Sequence, residues 1–89
     1  APTVFRSEQG AEVKVALEKG LVVFQFYESG QQEPVTELKI PRVVTDFGED
    51  TYLFLEGDSG PEILYRKTEH TLDVAWMTPD TLNGRYTIQ

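Results

Sequence analysis

The sequence predicts a small all-β domain, an antiparallel barrel or sandwich of about six to eight short strands joined largely as a meander. Three observations carry this. Val, Ile, Thr and the aromatic residues number 31 of 89, against 4 Ala and 1 Met; branched and ring side chains pack well on a pleated surface and lose rotamer freedom in a helix. Apolar residues alternate with polar ones, and no helical stripe of comparable length is present. Glycine and proline punctuate the chain at the intervals expected of short strands.

The elements follow in order. A short strand is expected at Thr3–Arg6. Glu12–Glu18 alternates cleanly, with Val13, Val15 and Leu17 on one face and Glu12, Lys14 and Glu18 on the other. Leu21–Tyr27 is apolar on both faces, as is Tyr52–Leu55, which marks central strands or strands whose second face is covered. Val35–Ile40 sets Thr36, Leu38 and Ile40 together before Pro41 ends or bends the pairing. Glu62–Lys67 aligns Ile63 with Tyr65, and Thr71–Met77 aligns Leu72, Val74 and Trp76, which assigns Trp76 to the core. Arg85–Ile88 closes the set. Residues 1–89 form a single domain with one modest core, because a chain this short buries only about 60–65% of its unfolded surface. That core is expected to consume most of the apolar side chains, which leaves little room for a small-molecule site.

In a meander, alternate connections share an end of the sheet. Glu18–Gly20, Asp46–Asp50 and Thr68–His70 are expected at one end. The longer Glu28–Pro34, Gly57–Pro61 and Thr78–Gly84 are expected at the other, and long loops on a rigid scaffold commonly carry function.

Composition excludes several functions. The 8 Lys and Arg against 15 Asp and Glu give a net charge of −7, which argues against binding a nucleic-acid backbone, and Arg66-Lys67 is the one adjacent basic pair. No cysteine is present, so neither a disulfide nor a thiolate site is possible. The single histidine, His70, excludes any triad or metal site that needs two, and no second acid–base group can be placed beside it for catalysis. No apolar run reaches the length of a membrane span. The opening Ala1-Pro2-Thr3 suits a mature terminus left by signal-peptide removal, which gives an expectation of a secreted or periplasmic protein, and suits a trimmed chain equally.

Gly57-Asp58-Ser59-Gly60-Pro61 resembles the segment around the nucleophile of trypsin-like serine proteases, but the match stops after four residues and no histidine precedes it. Four turn-forming residue types make it a surface turn. Between Asp46 and Glu62 six acids (Asp46, Glu49, Asp50, Glu56, Asp58, Glu62) occur without a Lys or Arg. The strand Tyr52–Leu55 divides them by about 13–17 Å, too far for glycosidase-type paired carboxylates. No Asp-x-Asp-x-Asp-Gly run is present, so neither a metal nor another cofactor is expected. Counted by end, the long loops collect Glu28, Glu33, Glu56, Asp58, Glu62 and Asp80, with Arg85 the nearest base. Tyr27 and Tyr52 flank the two-sided apolar strands and are candidate exposed anchors.

Tyr52-Leu53-Phe54-Leu55-Glu56-Gly57-Asp58 resembles the aromatic strand and following Gly-Asp of the small β-barrel inhibitors of animal-type lysozymes. Their cysteines and the Ser-Gly loop they insert into the enzyme cleft have no match here. The resemblance implies a small acidic extracytoplasmic β-domain that blocks a basic enzyme. Two functional expectations result. The first is a non-catalytic protein-binding module, an inhibitor where its basic protein partner is an enzyme, that docks through the acidic loop end. The second is a structural or assembly domain of a larger complex, using strand edges or the outer faces around Leu21, Val23, Leu53 and Leu55.

Overall fold

The computed structural model describes residues 2–41, 45–46, 48 and 50–89. Glu49 and the side chain of Asp46, both among the acids noted above, lie outside the described residues. The described residues form nine strand segments: β1 (Thr3–Ser7), β2 (Glu12–Glu18), β3 (Leu21–Tyr27), β4 (Thr36–Pro41), β5 (Thr45–Asp46), β6 (Thr51–Leu55), β7 (Glu62–Arg66), β8 (Thr71–Ala75) and β9 (Gly84–Ile88). A single 3₁₀ turn, Asp80–Leu82, is the only helical element among the described residues.

All neighbours in the sheet are antiparallel, in the order β4-β3-β2-β1-β9-β8-β7-β6-β5. Every step but one joins strands consecutive in the chain, so the expected meander is the topology. The exception, β1 against β9, pairs the two ends of the chain through Phe5↔Ile88, Arg6↔Thr87 and Ser7↔Tyr86. Eight antiparallel steps separate β4 from β5, so these two segments run the same way along one strand track. The result is eight antiparallel tracks in one nearly closed, barrel-shaped sheet, which decides between barrel and sandwich.

Ring contacts across the interior show the curl directly. Phe24 on β3 and Phe54 on β6 are far apart in sheet order, yet their ring centroids are 5.4 Å apart at 67°. Phe5 on β1 meets Tyr65 on β7 edge to face, 6.3 Å apart at 84°. Such offset and edge-on pairs are the geometry that aromatic quadrupoles favour. The inward positions follow the alternation read from the sequence: Val13 on β2, Val22, Phe24 and Phe26 on β3, Leu38 and Ile40 on β4, Ile63 on β7, Leu72 and Val74 on β8.

Local chemistry sets the turns. Lys19 and Gly20, with φ of 49° and 84°, form the two-residue hairpin between β2 and β3, where both central residues must be left-handed to match the strand twist. Pro41 is the last residue of β4, opposite Leu21, as its missing N–H predicts.

Strand direction sorts the connections into two ends. Lys19-Gly20, Gly48, Asp50 and 67–70 share the short-loop end with the start of β1 and the end of β9. The β1–β2 turn at 8–11 joins 28–35, 56–61 and 76–83 at the long-loop end. Backbone hydrogen bonds agree, with Lys67 N–H donating to the Asp50 carbonyl at 2.9 Å at the short-loop end.

Candidate functional site: the acidic long-loop end

The long-loop end is built around the connection between β8 and β9. Leu72 and Val74 point inward from β8, and strict alternation would send Trp76 after them. The backbone does otherwise. Trp76 has a φ of 66°, in the left-handed region that a tryptophan rarely occupies, and this reverses the direction of its side chain. Trp76 is 71% exposed, which corrects its assignment to the core. Met77 takes the inward place instead and is buried together with Leu82, which is 0% exposed and seals this end of the barrel.

Asn83 locks the loop. Its Oδ1 accepts from the Met77 N–H at 2.7 Å, and its Nδ2 donates to the Met77 carbonyl at 3.1 Å and to Asp80 Oδ1 at 3.0 Å. The buried Tyr86 hydroxyl on β9 donates to the Leu82 carbonyl at 2.6 Å. Thr81 Oγ1 donates to Glu28 Oε1 and so joins the β8–β9 loop to the β3–β4 loop. A large exposed indole therefore stands on a connection fixed at four points, which lowers the ordering entropy that binding through it would cost. A rare backbone conformation held this firmly by its surroundings is a feature that recurs at functional sites.

Acids surround it. Glu62 lies in register with Ala75, the residue before Trp76, and Asp80 lies four residues along the same loop. Glu33, Glu56 and Asp58 are exposed on the neighbouring loops, and Glu28 is half-buried beside Thr81. The β1–β2 turn brings Glu8 to the same end, exposed. Sequence reasoning missed Glu8, although the same count of alternate connections places it there. The two arginines closest to this end are already engaged. Arg6 Nε donates to Glu12 Oε2 at 3.0 Å, and Arg85 Nε donates to Asp73 Oδ1 at 2.9 Å.

Asp73 also accepts from Arg66 Nη1 and so bridges β7, β8 and β9 on the outer face. Partial burial raises its carboxyl pKa, but hydrogen bonds and charge from Arg85 and Arg66 outweigh burial and hold it below the ordinary value. The same pairing raises the Arg85 guanidinium. One carboxylate thus faces two guanidiniums, and the Arg66–Asp73–Arg85 cluster keeps a net charge of +1 on the outer face, where Asp73 holds Arg85 in place.

The two tyrosines are not part of this surface. Tyr27 is 7% exposed; the Lys14 ammonium sits 4.7 Å from its ring centroid, and its hydroxyl donates to Gln25 Oε1 at 3.4 Å. Neighbouring outward side chains cover it, which corrects its reading as an exposed anchor. Tyr52 lies at the start of β6, towards the short-loop end, half-buried and stacked on Tyr65 at 6.3 Å and 24°. Unlike Tyr27 it is an interior-facing ring, and it lies at the other end from this site. Ser59 and His70 stand at opposite ends, separated by the five residues of β7, about 16 Å of strand.

Among the described residues, no group of three or more His, Asp or Glu side chains is placed to hold a metal ion, and no helix is long and apolar enough to cross a membrane. Comparison with known protein families, curated proteins and solved structures found no match.

Proposed function

We propose that this domain is a non-catalytic protein-binding module that docks its long-loop end onto a basic protein partner, and that it acts as an inhibitor where that partner is an enzyme. The observation that carries this reading is Trp76: an exposed indole on a loop whose backbone Asn83 holds, at the end of the barrel that also carries Glu62 and Asp80. Tryptophan is among the residues most enriched at binding hot spots, where truncation commonly costs about 2 kcal/mol or more. Carboxylates around such an anchor contribute mainly through the approach, by raising the on-rate for a cationic partner and rejecting acidic ones. The localisation expected from the sequence, secreted or periplasmic, belongs to the same proposal.

The assembly reading draws less support. Of its four outer-face residues, Leu55 is exposed, Leu21 and Leu53 are half-buried and Val23 is buried, so they do not form one open apolar face. The experiment is charge reversal at Asp58, Glu62 and Asp80 together with Trp76→Ala. Charge reversal slows association and abolishes its salt dependence, whereas Trp76→Ala speeds dissociation. A partner whose binding neither change alters removes the proposal.

A further inference from the structure

Among the described residues, the two ends of the barrel are filled differently. At the long-loop end Met77, Leu82 and Tyr86 close the interior. At the short-loop end the turn at Lys19-Gly20 is a two-residue hairpin too tight to fold back over the mouth. Below Phe24 and Phe54 the described inward side chains leave a half-open cavity of about 500 Å³, contrary to the expectation that the core would use up its own apolar residues. Eight-stranded barrels sit at the size where side chains either fill the interior or leave room for one small ligand. A volume of this order lies within the usual range of small-molecule sites, roughly 300–1,000 Å³.

The walls state the chemistry of the occupant. Four rings, Phe5, Phe24, Phe54 and Tyr65, line the cavity, with Val15 and Leu72 between them. The two edge-to-face ring pairs described above leave ring faces and edges for a further aromatic group to meet. His70 and Thr3 line it from the chain segments at the mouth; among the described residues His70 is the one lining side chain able to carry a positive charge, and Tyr65 adds a phenol hydroxyl. A charged ligand group placed among the rings would be desolvated without a partner, at a cost of several kcal/mol. Water gains little there, since it needs two to four polar partners. Leu17 and Ile88, 63% and 41% exposed, continue the apolar lining out to the rim.

We propose that this cavity binds one small, uncharged, ring-bearing apolar molecule, with any polar group held at the mouth beside Thr3 and His70. The site lies at the end opposite Trp76 and does not depend on the docking role proposed above.

The test is a titration of the whole domain with N-phenyl-1-naphthylamine, an uncharged three-ring probe that brightens in apolar surroundings. Saturable binding of one probe per chain is expected, with a thermal midpoint that rises with probe concentration. Val15→Phe places a ring in the cavity and weakens binding by at least about tenfold. Leu17→Glu, at an exposed rim position where folding is not at risk, weakens it as well, so the test stands even where Val15→Phe misfolds. Trp76→Ala leaves it unchanged. Binding that does not saturate at one probe per chain, that survives Leu17→Glu, or that is lost in Trp76→Ala would overturn the proposal.

Discussion

Tyr86→Phe removes one buried hydroxyl, and its effect on stability should change with pH. Tyr86 is 0% exposed, and its hydroxyl donates to the Leu82 carbonyl at 2.6 Å, which ties β9 to the loop that carries Trp76. Without that donor a buried carbonyl loses its partner, at a cost of roughly 1–3 kcal/mol near neutral pH. Burial, with a smaller contribution from the Glu28 charge, pushes the Tyr86 phenol up from 10.0 to about 12. The folded state therefore keeps its proton to higher pH than the unfolded chain does. The stability linked to this proton is fully present below about pH 10 and is lost as pH rises through about 12. At about pH 11 the unfolded phenol is some nine-tenths ionised and the folded one about one-tenth. The advantage of wild type over Tyr86→Phe then shrinks by about 1–1.5 kcal/mol relative to neutral pH. Urea unfolding of both proteins, from about pH 7 to 11, reads this difference directly, and the shared contributions of the other tyrosines and the lysines cancel. A stability difference that stays constant with pH, or no difference near neutrality, would refute the reasoning.

Three further outcomes are expected. Trp76→Gly relieves a left-handed backbone that costs a side-chain-bearing residue about 1 kcal/mol, so it raises the unfolding midpoint while weakening partner binding; a loss of stability above about 1 kcal/mol would show that the indole supports the fold. Asp73→Asn costs about 1 kcal/mol near neutral pH by releasing Arg66 and Arg85, and it flattens the acid limb. The sign follows from the lowered carboxyl: its contribution is present above the ordinary carboxyl range and is lost as pH falls through the depressed value, so unfolding curves below about pH 4 should converge. Gly10→Ala places a Cβ 2.7 Å from Ser29 Oγ on a residue with φ of 90°, at a cost of about 1–2 kcal/mol. Adding Ser29→Ala recovers part of that loss by relieving the clash while the backbone strain remains.

The strands were legible because each has its own local signature. Alternation in Glu12–Glu18 and Leu72–Val74 is a backbone property that needs no knowledge of the partner strand, and the short connections force consecutive strands to pair. The division of loops between two ends follows from the same count. Barrel closure was not legible, because it depends on β1 meeting β9 and on β4 and β5 sharing one track, both long-range matters of register.

Trp76 was misread because alternation was carried one residue too far. Trp76-Met77 is itself a break, two large apolar residues in succession shortly before Pro79, and only one of them can face inward. Tyr27 and Tyr52 show the opposite limit: the sequence marks them as aromatic and strand-borne, but whether a ring is covered depends on neighbours such as Lys14 and Tyr65 from other strands. The short-loop cavity was invisible for a related reason. Composition counts apolar side chains, but filling depends on which of them meet at the same level of the barrel.

The proposed docking sets a basic protein against the acidic end and its indole. The most direct measurement immobilises the domain, passes an extract of the organism that encodes it over the surface at low salt, and elutes with a salt gradient. A parallel surface carries the Asp58→Lys, Glu62→Lys, Asp80→Lys variant. A basic protein retained by wild type, released at moderate salt and absent from the variant surface is the predicted result. The same protein retained equally by both surfaces, or released only by denaturant, would contradict the account.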